Sequence, residues 1–131
     1  MRFLFVCIEN SCRSQIAEAF VRIHGGNDVE AFSGGSRPSG IVNLRAIESM
    51  KDVGYDLSTH TSKPLDSIPE SDLDCVVTMG CGDECPWVPA KNRYDWDIPD
   101  PGNMPPDEFA DVRDDIERRV KALLAEINQR R

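Results

Sequence analysis

The sequence predicts an α/β fold, a parallel sheet flanked by helices in three layers, and three observations carry that reading. Phe3, Leu4, Phe5 and Val6 form an unbroken apolar run near the start, as in a strand buried on both faces. Short apolar or β-branched runs then alternate with stripes of helical period, the pattern of a parallel sheet joined by right-handed crossovers. The chain closes on a long amphipathic stretch whose apolar residues recur every three or four positions.

Taken in order, Met1 to Val6 is the first strand. Ile16, Phe20 and Ile23, with Ala17 and Val21 beside them, mark a helix that stops at Gly25-Gly26. Val29 to Ser33 reads as a short strand closed by Gly34-Gly35. Leu44, Ile47, Met50 and Val53 give a second helix stripe ending at Gly54. Leu73 to Met79 is a central strand, and the alternating Arg93 to Asp97 suits an edge strand. The last helix starts near Pro106, with Asp107 and Glu108 in its first turn. Phe109, Val112, Ile116, Val120, Leu123 and Ile127 are its buried stripe, and Arg130-Arg131 complement its C-terminal dipole.

With 131 residues, the simplest organisation is one domain, large enough for a core without metal or disulfide staples. No apolar run reaches membrane-spanning length, and the first one begins a strand rather than a signal peptide. The net charge of −8 argues against nonspecific binding to nucleic acid or to an anionic membrane. Five cysteines without a secretory signal point to the reducing cytoplasm and to working thiols.

The chemistry concentrates in Val6-Cys7-Ile8-Glu9-Asn10-Ser11-Cys12-Arg13-Ser14, between the first strand and the first helix. Loop amides from Ile8 to Ser14 and the helix N-terminus favour an anion, and the same field is expected to lower the Cys7 pKa. Arg13 offers a planar fork to two oxygens of a phosphate-like group, so a nucleophile and an oxyanion cradle coincide. Cys7, the Cys81–Cys85 segment and Asp100 each follow a predicted strand, which brings all three to one carboxyl edge of a parallel sheet.

The segment Cys7 to Phe20 resembles the signature of the low-molecular-weight protein tyrosine phosphatase superfamily, and more narrowly its thioredoxin-coupled arsenate reductases. Phe32-Ser33-Gly34-Gly35, Thr59-His60-Thr61-Ser62, Val76-Val77-Thr78-Met79 and Asp100-Pro101 extend the likeness over nearly the whole chain. The resemblance implies a single domain over residues 1–131, a four-stranded parallel sheet in the order 2-1-3-4, and no cofactor. Glu9 departs from the pattern, standing where most members carry glycine, and its carboxylate is expected to face solvent. Asn10 and Ser14 match positions that hold the loop in shape, Asn10 because asparagine tolerates left-handed backbone.

Gly80-Cys81-Gly82-Asp83-Glu84-Cys85 separates two chemistries. Hydrolysis of a phosphocysteine needs only water and an acid, whereas reducing arsenate takes two electrons, which a dithiol supplies on becoming a disulfide. The resemblance implies attack by Cys7 with Asp100 as acid, then a relay through Cys81 and Cys85 to thioredoxin or a similar reductant. A phosphomonoester hydrolase using Cys7, Arg13 and Asp100 is the enzymatic alternative, and an arsenic- or metal-sensing thiol module the non-enzymatic one. Zinc ligation by Cys75, Cys81 and Cys85 does not fit the usual paired spacing.

Cys12 reads as a loop-packing thiol, with a protective Cys7–Cys12 disulfide the alternative, and Cys75 as core. Some members of the resembled group bind potassium beside the loop with residues matching Asn10, Ser14 and Ser33 and an aspartate at the position of Lys63. The Lys63 ammonium is expected to take the cation's place, with solvated lysine the alternative. Trp87, Trp96, His24 and His60 are read as structural.

Overall fold

The computed structural model describes residues 1–68, 72–80 and 88–129. Strands β1 (Arg2–Cys7), β2 (Glu30–Gly35), β3 (Cys75–Thr78) and β4 (Asn92–Asp95) form one sheet in the order β2-β1-β3-β4, with every pair parallel. The helices are α1 (Arg13–His24), α2 (Leu44–Lys51) and α3 (Pro106–Gln129). Element types, chain order and sheet order agree with the sequence reading. Alternate residues of β1 serve two clusters, as strand geometry requires. Phe3, Phe5 and Cys7 join the helices' apolar residues, while Leu4 and Val6 pack with Ile68, Leu73, Val76 and Val88 on the other face.

All six apolar positions expected to be buried on α3 are buried. The other boundaries move for identifiable reasons. Gly34 and Gly35 lie inside β2 instead of closing it, because neighbouring chain comes too close for a side chain. A Cβ at Gly34 would sit 2.7 Å from the Ile68 side chain, and one at Gly35 would sit 2.5 Å from the Ile8 carbonyl oxygen. Gly25, not both glycines, caps α1 in helical geometry, and Gly26 takes the left-handed turn at φ +76°. Helix α2 buries Ala46, Ser49 and Met50 and leaves Leu44 72% exposed, so its inward face is rotated from the expected stripe, and the helix ends at Lys51, before Val53, which is 39% exposed in the turn that follows. Ile23, expected on the inward stripe of α1, is 42% exposed in its last turn. Arg130 and Arg131 lie outside the described residues.

Candidate active site

The connection from β1 to α1 forms a loop at the carboxyl edge of the central strand, the position where open α/β sheets take ligands. Its shape is held from behind. Asn10 takes φ +50°, the left-handed geometry expected of it, and Glu9 has no positive φ, so Glu9 needs none of glycine's freedom. The backbone N–H groups of Arg37, Ser39 and Asn43 donate to the carbonyls of Ile8, Glu9 and Ser11 at 2.9, 3.0 and 2.9 Å. The Ser62 hydroxyl donates to the Glu9 carbonyl as well. No side chain caps the N-terminus of α1, which leaves its first amides facing the loop.

Cys7, Ile8, Glu9, Ser11, Cys12, Arg13, Arg37 and Asp100 line one cavity of about 250 Å³. Cys7 and Asp100, 93 positions apart in sequence, thus share a wall, as the topology predicted. Arg13 is 9% exposed at the cavity's base, and its Nη1 donates to the Ile98 carbonyl at 2.9 Å, which fixes the fork's direction. Asp100 lies exposed at the mouth, its Oδ1 accepting from the Gly102 N–H at 3.1 Å in a tight turn. Glu9 is exposed at the same mouth, as its expected solvent-facing orientation requires. A larger cavity of about 710 Å³, between α2 and the start of α3, contains no cysteine among its lining residues.

Asn10 and Ser14 do not line the anion cavity; both are wholly buried beneath it. Asn10 Nδ2 donates to Ser14 Oγ at 2.8 Å, which leaves the Ser14 hydroxyl hydrogen free to donate to Cys7 Sγ, also 2.8 Å away. Behind Asn10, Gln15 Nε2 donates to Asn10 Oδ1 at 2.9 Å, and Gln15 Oε1 lies 2.9 Å from His60 Nδ1. An amide oxygen only accepts, so His60 carries a proton on Nδ1 and takes the Tyr55 hydroxyl's hydrogen at Nε2, 2.7 Å away. A directed chain therefore runs from Tyr55 through His60, Gln15, Asn10 and Ser14 to the cysteine sulfur. Sequence reasoning missed Gln15 and Glu18, because a fully buried polar residue on a helix leaves no mark on apolar periodicity.

Burial pulls the His60 pKa below the ordinary imidazole value, Arg22 and Lys63 act in the same direction, and Glu18 opposes them. The folded protein therefore holds His60 neutral at a pH where the unfolded chain would protonate it. Stability from this group is present above about 6.5, the free imidazole value, and is lost as pH falls from there toward the lowered folded value. A urea titration series at decreasing pH should show that loss in the wild type and a flatter profile in His60→Gln.

Lys63 is not a solvated surface lysine. Its Nζ donates to Ser33 Oγ at 3.2 Å and to the Thr61 carbonyl at 3.1 Å, and lies 3.6 Å from Glu18 Oε1. Glu18 is 4% exposed and also receives the Ser33 hydroxyl at 2.6 Å and Arg22 Nε at 3.1 Å. The ammonium thus sits among the oxygens that could otherwise surround a monovalent cation, and activity should be the same in sodium and potassium buffers. Lys63→Met should cost about 1–3 kcal/mol in thermal or urea unfolding, since it takes a cation from a buried carboxylate.

Burial pushes both the Cys12 and Cys75 thiols up to about 12, so both are protonated and unreactive at neutral pH. Cys75 is packed in β3, and Cys12 is 4% exposed beside the loop, in keeping with core and loop-packing roles. Cys7, Cys12 and Cys75 are free thiols. Trp96 is buried against Phe5, and His24 stacks on Phe20 and pairs with Glu117 at 2.9 Å. Cys81, Cys85 and Trp87 lie outside the described residues. Gly80, just before Cys81, takes φ +79° and abuts Arg13, so that a Cβ there would lie 2.6 Å from Arg13 Nη1.

Residues 2–131 match the family model of low molecular weight phosphotyrosine protein phosphatase. The chain belongs to that family. It is 37% identical over 130 residues to a glutaredoxin arsenate reductase of Synechocystis sp., covering 97% of this chain and 98% of that one. Among solved structures, an arsenate reductase in the phosphate-binding state superposes with a TM-score of 0.88 at 37% identity, covering 96% and 98% of the two chains. A thioredoxin-dependent arsenate reductase of Corynebacterium glutamicum gives 0.79 at 32% identity, covering 99% of this chain and 63% of that one.

Proposed function

We propose that this protein is an arsenate reductase that forms arsenite through a Cys7–Cys81–Cys85 relay renewed by an external thiol reductant. The observation that carries this reading is Gly80 packed against Arg13, at the edge of the anion cavity, with a cysteine next in sequence. Thiols beyond Cys7 have no part in phosphate ester hydrolysis, and the compared relatives are named arsenate reductases.

In the proposed cycle, arsenate enters the cavity with its oxygens on the amides of the lining loop residues Ile8, Glu9, Ser11, Cys12 and Arg13 and on the Arg13 fork. The Cys7 thiolate attacks arsenic, an oxygen leaves as water after protonation by Asp100, and a sulfur–arsenic bond forms. The Cys81 thiolate attacks Cys7 sulfur. The electron pair of the breaking sulfur–arsenic bond stays on arsenic, which departs as arsenite, reduced by two electrons. Cys85 then attacks Cys81, releasing Cys7 as thiolate and leaving a Cys81–Cys85 disulfide for the reductant. Relatives named for thioredoxin and for glutaredoxin both exist, and a dithiol protein of either kind can close the cycle. The whole chain acts as one domain in this reading, and a reducing compartment such as the cytoplasm supplies free Cys7. No helix among the described residues is long and apolar enough to cross a membrane.

Arsenite formation measured with thioredoxin, thioredoxin reductase and NADPH, and again with a glutaredoxin system, tests the proposal. Arsenate-dependent NADPH oxidation with one of the two is expected. Hydrolysis of an aryl phosphate with no arsenite from either donor would favour the phosphatase reading, whose nucleophile, fork and acid are the same residues.

A further inference from the structure

A second arginine, which the mechanism above does not use, lines the cavity. Arg37 lies on the β2–α2 connection, exposed, and shares the cavity wall with Cys7, Arg13 and Asp100. Its backbone is tied to the anion loop. The Arg37 N–H donates to the Ile8 carbonyl and the Ser39 N–H to the Glu9 carbonyl, so residues 37 and 39 run alongside the anion loop in register. Pro38 follows and biases the Arg37 backbone toward extended geometry.

Charge explains what such a residue does here. Without Arg37, the charged side chains among the described lining residues would be one cation, Arg13, against two carboxylates, Glu9 and Asp100. An incoming oxyanion dianion would meet a negative mouth on a chain whose net charge is −8. The carboxylate of Glu9, in the loop itself, makes this worse. Arg37 brings the described lining side chains to balance, while the nine-tenths-buried Arg13 has one nitrogen already committed to Ile98.

We infer that Arg37 is an oxyanion-binding residue, the outer of two guanidinium groups, that captures the dianion at the mouth and offsets Glu9. The inference rests on the reading of this cavity as the oxyanion site, and it holds for arsenate and phosphate alike. Arg37 acts on binding: its loss weakens affinity and raises KM, while the chemical step, set by Cys7, Arg13 and Asp100, keeps its rate.

The test is protection of Cys7 from iodoacetamide by inorganic phosphate, followed by mass spectrometry of the Cys7 peptide in wild type, Arg37→Ala and Arg37→Lys. The half-protecting phosphate concentration should rise roughly tenfold in Arg37→Ala, the scale of one charge-assisted contact at a partly solvated site. Arg37→Lys should recover most of it, and the gap between wild type and Arg37→Ala should shrink as salt is raised. Equal protection in wild type and Arg37→Ala, or a gap that salt leaves unchanged, would overturn the inference. The measurement is separable from the reductase reading: if no variant made arsenite yet phosphate protection followed Arg37, the reading would fall and the inference would stand.

Discussion

A Cys7→Ser variant should form no arsenite and no arsenate-induced disulfide, while still binding phosphate. The serine hydroxyl is not ionised at neutral pH and cannot give the thiolate that attacks arsenic. Nor can its oxygen accept the second thiol's attack and pass an electron pair to arsenic. Both the covalent and the redox halves of the cycle are lost together, so the fall should span several orders of magnitude. The cradle survives the change. Ser14 Oγ keeps its Asn10 donor, Arg13 keeps Ile98, and the clamps from Arg37, Ser39 and Asn43 are backbone bonds. Phosphate affinity in isothermal titration should therefore be close to wild type, and a loss of binding equal to the loss of activity would point to collapse of the loop instead.

Cys85→Ser should give the second large effect, of a different form. The first two steps need only Cys7 and Cys81, so one arsenite per protein is made. The reaction then stops, because no internal thiol remains to release Cys7 from its disulfide with Cys81. Quenched-flow measurement should show a burst equal to the enzyme concentration with no steady state behind it. Cys12 and Cys75 should not substitute for Cys85. Both are buried with thiols pushed up to about 12, and Cys75 faces the core from β3. Continued turnover by Cys85→Ser with thioredoxin would remove Cys85 from the relay.

The sheet and its order were legible because their signals are strong and independent: a doubly buried β1, a β-branched β3, an alternating edge strand and six periodic positions on α3. Boundaries failed where tertiary contact overrode local pattern. Gly34 and Gly35 look like a stop, yet they are strand residues whose missing side chains admit Ile68 and the anion loop. Leu44 looks like core and is exposed, since α2 is oriented by the Asn43 cap and by the tie from Asn43 N–H to Ser11. In the site, the positive φ of Asn10 was foreseeable from residue type, and the common cavity of Cys7 and Asp100 from topology. That Lys63 is tied in rather than solvated was foreseeable, by comparison of residue types at one position. Gln15, Glu18 and Arg37 were not, because each acts through a partner distant in sequence: His60 for Gln15, Lys63 for Glu18, the mouth of the loop for Arg37.

In the proposed cycle, two electrons reach arsenic from thiols beyond Cys7. Disulfide mapping by mass spectrometry tests it most directly: the reduced protein is mixed with arsenate and no other reductant, quenched with acid and alkylated. A Cys81–Cys85 disulfide is expected in the wild type and Cys7–Cys81 in Cys85→Ser, each matched by one equivalent of arsenite. Free Cys81 and Cys85 after arsenate, or a Cys7–Cys12 disulfide in their place, would contradict it.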